Sequence, residues 1–467
     1  MFAILVKELK EMMRDGRIKI VAIISLILLV ISSITGINQY QKKNKQYAES
    51  TSKERAIWET QEEKNPHSAA HYGTYVFKPK FALSVFDYGV TTYTGNSIFI
   101  EAHNQNEASF SEATDQTSLA RFGTLSINFV LLYIFPLLVI LLGYNTYTKE
   151  KEQQTLLLIK SQGIAPLKLV LGKWLATFLP ILILTTLIFL TVGVVLTQLE
   201  DLVFFNWAKL WTLLVLYLCY YLIITSITIL ISMWSKSSGI SLIACLLIWI
   251  LFGFISPKIA TNIANIKNPY PSKFEFNTSI ENDKKNGLDG HNPWNEAAKK
   301  LEKETLQNYG VESIEELPFN YVGYRMQKGE EHEAEIYKKH YGLLKNIAKK
   351  QNNTYKSLSF LTPFIAFRFL SMELANSSDY LHWKFSEAVE KYRIEKQQFL
   401  NYDIKDNSVY GERGYKMSSE KFKKLPKFSF APPPLIKLLK DNQQNLFFLF
   451  LWIAIPFLGL LVTSKKI

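Results

Sequence analysis

Six long apolar stretches without a single Asp, Glu, Lys, Arg or His punctuate this chain: Ile20 to Ile37, Thr124 to Asn145, Leu175 to Thr197, Leu210 to Met233, Gly239 to Ser256, and Asn445 to Thr463. Each holds about 18 to 24 residues, the length a helix needs to cross the hydrocarbon layer of a bilayer. Six such charge-free runs would not assemble inside one water-soluble domain. The pattern therefore predicts a mainly α, polytopic membrane protein with six transmembrane helices.

Residues 1–19 show a different period. Phe2, Leu5, Val6, Leu9, Met12 and Met13 share one helical face, opposite Lys7, Glu8, Lys10, Glu11 and Arg14. This two-sided pattern predicts a helix lying in the membrane interface. The Ser32-Ser33-Ile34-Thr35-Gly36 run lacks the small-residue spacing of a cleavage site, so the first stretch reads as an uncleaved anchor.

Basic residues in short connections set the orientation of a multi-span chain. Lys7, Lys10, Arg14, Arg17 and Lys19 precede the first span, and Lys149, Lys151, Lys160, Lys168 and Lys173 fill the 146–174 connection. Lys236 follows the fourth span and Lys465-Lys466 close the 464–467 tail, whereas the connection after the third span carries only Glu200 and Asp201. Both termini are thus expected in the cytoplasm, with the large segments 38–123 and 257–444 on the outer side.

The first outer segment is expected to start as a charged helical stem through Lys64 and then to become aromatic and less regular. The second reads as largely helical. Asn292-Pro293 supplies a cap ahead of the Trp294, Ala297, Ala298 and Leu301 stripe, with Gly310 as the stop. Ile336, Tyr337, Tyr341, Leu344 and Ile347 mark another helix, and Phe385, Ala388, Val389, Tyr392 and Phe399 a third, capped within Ser377 to Asp379. Phe360 to Leu370 is too short for a seventh span and is interrupted by Pro363 and Arg368, so a buried or interfacial helix is expected there. Lys421 to Pro434 reads as extended.

Composition adds mainly exclusions. The net charge of +12 lies outside the apolar stretches, the footprint of membrane topology rather than of nucleic-acid binding. Cys219 and Cys245 both fall inside apolar stretches, leaving the polar segments no disulfide or thiolate metal site. Gly172-Lys173-Trp174 does not fit a phosphate-binding loop, so the chain is not expected to hydrolyse ATP or to bind a cofactor of its own. His332-Glu333 lacks the second histidine of a zinc-protease helix, and the seven histidines show no convergent ligand spacing, so no metal is assigned. Spans without ionisable groups also argue against ion coupling and for an energy source on a separate protein.

The 146–174 connection contains Lys149-Glu150-Lys151-Glu152-Gln153-Gln154-Thr155-Leu156, then Ser161-Gln162-Gly163-Ile164 and Gly172-Lys173. This run resembles the type-2 ABC exporter permeases, which show E-x-E-x-G-T-L, an S-x-G turn and a G-K before the third span; Gln154 stands where the usual glycine would be. Lys7-Glu8-Leu9 with Arg14-Asp15-Gly16-Arg17 looks like the family's elbow helix. His71-Tyr72-Gly73, Lys78-Pro79, Asp87-Tyr88-Gly89-Val90, Glu101-Ala102-His103 and Arg121-Phe122-Gly123 resemble a bacterial subfamily with large insertions after the first and fifth spans. Pro363, Asp379, His382 and Phe385 match its pattern as well.

The resemblance implies a dimer of permeases in the bacterial cytoplasmic (inner) membrane, bound to two cytoplasmic ATP-binding cassette subunits that hold the ATP and Mg. A short helix within Lys149 to Gly163 would dock on the ATPase, with Glu150, Glu152, Thr155, Leu156 and Gly163 as coupling residues: the charged face making surface pairs, the Leu156 to Ile159 run giving apolar anchorage. Arg14, Asp15 and Arg17 would belong to the interfacial elbow. Tyr217, Tyr220, Tyr221 and Thr225 are candidates for a translocation path, or for helix packing. Lipid and an envelope protein on the outer side are further expected partners. The competing reading is a membrane-anchored sensor or scaffold without transport.

Overall fold

The computed structural model describes residues 1–115, 125–199, 205–285, 287–412 and 414–465. Thr124, the Arg121-Phe122-Gly123 pattern, Glu200, Asp201 and Lys466 lie outside the described residues. Among the described residues, six helices are long and apolar enough to cross a membrane: Arg17–Glu59, Ile127–Glu152, Pro166–Thr197, Trp207–Trp234, Ser238–Lys267 and Gln443–Ser464. The fourth span lies at the centre, packed against the second, third, fifth and sixth. The expected mainly α membrane protein is what the chain forms, with a two-stranded sheet as its minor component.

The first span shows how the bundle is assembled. Its buried positions, Val21, Ser25, Leu29, Ser32, Gly36 and Tyr40, recur every three or four residues along one stripe. Ile20, Ile23, Ile27, Val30, Ile31 and Ile34 are exposed on the other faces, as a lipid-facing surface must be. Small residues at the contacts allow close approach. A side chain at Gly143 of the second span would meet the Thr228 methyl at 2.9 Å and that of Thr177 at 3.1 Å.

Two spans carry a π-helical turn, Val130–Ile134 in the second and Leu251–Ile255 in the fifth. Pro136 and Pro257 follow these turns. A helical proline lacks its N–H and crowds the carbonyl four residues earlier, and the wider turn absorbs both defects.

The first and fifth helices continue past membrane length, so the helices and the apolar stretches do not end together. Arg17–Glu59 runs on as the expected charged stem. After it come a short helix, Pro66–Tyr72, and a hairpin in which Thr74–Phe77 pairs antiparallel with Ser97–Ile100, Thr74 opposite Ile100 and Phe77 opposite Ser97.

The second insertion is helical, with the expected helices at Glu296–Tyr309, Tyr321–Ser357 and Asp379–Asn407. Gly310, at φ +66°, ends the first of these, but its N-cap is Asn295 rather than Asn292; the Asn295 side chain accepts from the Ala297 N–H at 2.7 Å. The two insertions form one head. Trp58 of the stem meets Phe422 edge-on at 5.4 Å, and Lys396 sits 4.0 Å above the Trp58 ring.

Phe360 to Leu370 contributes a helix, Pro363–Leu374, begun by Thr362, whose hydroxyl accepts from the Phe364 N–H at 3.2 Å. It enters the bundle beside the fourth and sixth spans. Arg368 on this helix donates to both oxygens of Asp87, at 2.6 and 2.8 Å. The fully buried carboxylate also accepts from Ser371 and Asn128 and from the Gly89 N–H. Every acceptor direction of Asp87 is thereby used, which is the condition for burying a charge.

Candidate functional site

The end of the bundle that bears both termini gathers the elbow helix, Phe2–Arg14, and the ends of all six spans around the 146–174 connection. Gly172 explains part of the glycine-lysine pair at the start of the third span. A side chain there would run into Ile4 of the elbow at 2.8 Å, so glycine lets that helix lie flat against the span. Lys173 then reaches under the elbow. Its Nζ donates to Glu8 Oε1 at 2.7 Å, to Glu150 Oε1 at 2.8 Å and to the Thr146 carbonyl at 3.0 Å.

Lys7 donates to the same two carboxylates, each at 3.0 Å, and pairs at 3.2 Å with the more exposed Glu11 as well, so two lysines serve two buried carboxylates and one outer one. Lys173 is 1% exposed, Glu8 7% and Glu150 6%. Burial by itself raises the Glu8 pKa, but Lys173 and then Lys7 outweigh it and hold the carboxyl below the usual range. Burial likewise opposes the Lys7 charge, and Glu8 and Glu150 prevail to hold its pKa above the usual lysine value.

Glu8 lies on the polar side of the elbow and Glu150 in the Lys-Glu run, yet both are buried in this cluster. Both carboxylates point inward because Lys173, separated from them by 165 and 23 positions in sequence, supplies the compensating charge.

The neighbouring charges of the Lys-Glu run tie down helix ends. Lys151 Nζ donates to the Met233 and Ser235 carbonyls, at 2.5 and 3.0 Å, where the fourth span ends. Glu152 accepts from the Ser238 N–H at 2.7 Å and its hydroxyl at 2.8 Å, where the fifth begins. A cation on a C-terminus and an anion on an N-terminus each match the sign of the helix dipole. Arg17 similarly joins the elbow turn to the second span, donating to Asp15 at 2.9 Å, the Leu142 carbonyl at 3.1 Å and Asn145 at 2.6 Å. Arg14 is exposed.

Between Thr148–Glu152 and the helix Thr155–Ser161, Gln154 adopts a left-handed conformation at φ +59°, the geometry that favours glycine. Thr155 sits beside this turn with its hydroxyl 3.4 Å from the Glu150 carbonyl. Leu156 is buried against Tyr147, Leu169 and Met233. Leu157 and Leu158 instead project outward, 69% and 63% exposed. Gly163, at φ +72°, reverses the chain toward Pro166.

Tyr217, Tyr220, Tyr221 and Thr225 are all buried in the core of the bundle. Tyr221 donates to the Leu131 carbonyl at 2.7 Å and Tyr217 to Asn128 at 3.3 Å, while Tyr217 and Tyr220 pack on Phe367 at 4.7 and 5.0 Å. Of the two roles open to them in the sequence, these contacts support helix packing.

The head contains a cavity of about 1110 Å³ between the hairpin and two long helices, lined among others by Phe99, Lys338, Tyr341, Lys345, Trp383 and Glu387. It also brings together His67, His71, His103 and His291. The sequence spacing of these four shows only one helical pair, His67 and His71; the other two join through the packing of the insertions.

The fold is that of a multi-pass membrane protein. Residues 31–276, more than half of the chain, match the model of the ABC-2 family transporter proteins, and the chain belongs to that family. Residues 273–431 match a domain of unknown function (DUF3526) that coincides with most of the second insertion. No curated protein matches the chain.

Proposed function

We propose that this chain is the membrane-spanning subunit of an ATP-driven exporter, with both termini and the coupling segment in the cytoplasm of a bacterial inner membrane. A separate ATP-binding cassette protein binds ATP and Mg and docks on the Thr155–Ser161 helix. The observation that carries this reading is the pair of exposed leucines, Leu157 and Leu158, on a helix whose preceding turn is anchored through Lys151, Glu152 and Lys173 to three spans, the fourth, fifth and third. Apolar side chains left outside a rigidly held helix suit the groove of a partner, and anchoring of the helix carries the partner's movement into the bundle. A second permease copy completes the pathway, and the head cavity is where a substrate or an envelope protein meets the chain on the outer side.

Gentle detergent extraction of the full chain from its native membrane tests the reading. An ATPase should accompany it, and Leu157→Asp with Leu158→Asp should release that ATPase while leaving the permease folded. A permease that purifies without an ATPase under several mild conditions, with nucleotide-independent binding by its head, would instead make it a sensor or scaffold.

A further inference from the structure

We propose that His67, His71, His103 and His291 form a binding site for one Zn²⁺-class divalent transition-metal ion that fastens the two insertions of the head together. The site stands on the geometry of the head alone and does not depend on the export reading.

The ligand atoms face one another. His67 Nε2 and His71 Nε2 are 3.0 Å apart, and His103 Nε2 and His291 Nε2 are 2.6 Å apart. His67, His71 and His291 each offer a ring nitrogen within 4.8 Å of the others. The ring centroids of His67 and His291 lie 4.8 Å apart and those of His71 and His103 5.2 Å apart, so the two pairs form a single group. Four nitrogens around Zn²⁺, each at 2.0 to 2.1 Å, sit about 3.3 Å from one another; the two Nε2 pairs, at 3.0 and 2.6 Å, are closer than this and would open by a few tenths of an ångström around the ion.

Each ligand is positioned by its own segment. Asn65 caps the Pro66–Tyr72 helix, which places His67 and His71 one turn apart on one face. His103 holds a left-handed backbone at φ +64°, a costly conformation for a residue with a side chain and one that recurs at functional sites. Its Nδ1 lies 2.9 Å from Glu330 and 3.0 Å from Glu333. A proton on Nδ1, held by these carboxylates, turns the Nε2 lone pair toward the other histidines, as in the carboxylate-histidine arrangement behind metal ligands. The carboxylates are already committed elsewhere: Glu330 to Arg393 at 3.1 Å and Glu333 to Lys284 at 3.7 Å. His291 sits on a turn in which its own N–H donates to Asp289 at 2.8 Å.

The donor set selects the ion class. Imidazole nitrogen without thiolate suits Zn²⁺, Cu²⁺ and Ni²⁺, whereas Ca²⁺ and Mg²⁺ require oxygen ligands. His71 and His291 are exposed, so an ion enters without unfolding the head. Three ligands come from the first insertion and His291 from the second, within the separately matched domain, so one ion bridges both.

The full chain, purified in detergent with a histidine-free tag and stripped with a chelator, provides the test. Zn²⁺ should bind at one ion per chain and raise the thermal midpoint, and Co²⁺ should give the intense visible absorption of a four-coordinate site. His71→Asn, a change at an exposed side chain, should weaken Zn²⁺ binding roughly tenfold or more, and His67→Asn with His291→Asn should abolish it. His382→Gln, outside the cluster, should leave it unchanged. Absence of stoichiometric Zn²⁺ and of the Co²⁺ spectrum in the wild-type chain overturns the site, as does Zn²⁺ binding that His71→Asn leaves intact.

Discussion

Lys173, on the third span, donates to Glu150, on the connection that leads into that span, at 2.8 Å, and both side chains are buried. A motif residue that looks available for docking is thus an internal strut, and the apolar residues after it are the ones left outside.

Replacing Lys173 by Met should destabilise the chain by about 3–5 kcal/mol, because Glu8 and Glu150 would remain buried with Lys7 as their one counter-charge. Thermal unfolding in detergent measures the loss. Adding Glu150→Gln to Lys173→Met should recover about 1 kcal/mol or more, the sign of a direct coupling.

Gln154→Gly should stabilise the connection by about 1 kcal/mol, since it removes the steric cost of a left-handed side-chain residue. Gln154→Val should shift the unfolding midpoint in the opposite direction.

Asp87→Asn should cost about 1–3 kcal/mol and loosen the Pro363–Leu374 helix from the bundle, because an amide turns a donor toward groups that now donate to the carboxylate. Hydrogen exchange should rise in that helix and at the Asn128 end of the second span. Association with an ATPase at the opposite end should persist.

His382 gives the head a pH dependence. Burial first, and then the neighbouring Lys78 ammonium, push its pKa down to about 4 from 6.5. The unfolded chain takes up this proton below about 6.5 while the folded chain resists it, so the proton favours unfolding and the head loses stability as pH falls from 6.5 toward 4. His382→Gln should flatten the decline between pH 6.5 and 5 in a melting series.

The parts of this molecule that follow from local pattern were legible in the sequence. Charge-free runs gave the six spans, and the stripe of Ile336, Tyr337 and Tyr341 gave a head helix, because lipid and helical period each act on neighbouring residues. Pro363 and Arg368 correctly argued against a seventh span; the helix they begin is held by Asp87, which no local pattern could supply. Helical period places Glu8 on the polar side of the elbow, and only a lysine 165 residues away turns it inward. The histidines show no convergent ligand spacing in the sequence, because His103 and His291 reach His67 and His71 only after two insertions pack. Prolines 136 and 257 stood in plain view, and what the sequence does not state is that a π turn accommodates each.

The most direct measurement places a single thiol at Leu157. Leu157→Cys should react with a membrane-impermeant maleimide in inverted vesicles, stay unlabelled in intact cells, and become protected when the ATPase is bound. Cys219 and Cys245, lying in the spans, give the background through the unsubstituted chain. Labelling in intact cells, or labelling that a bound ATPase leaves unchanged, would contradict the account.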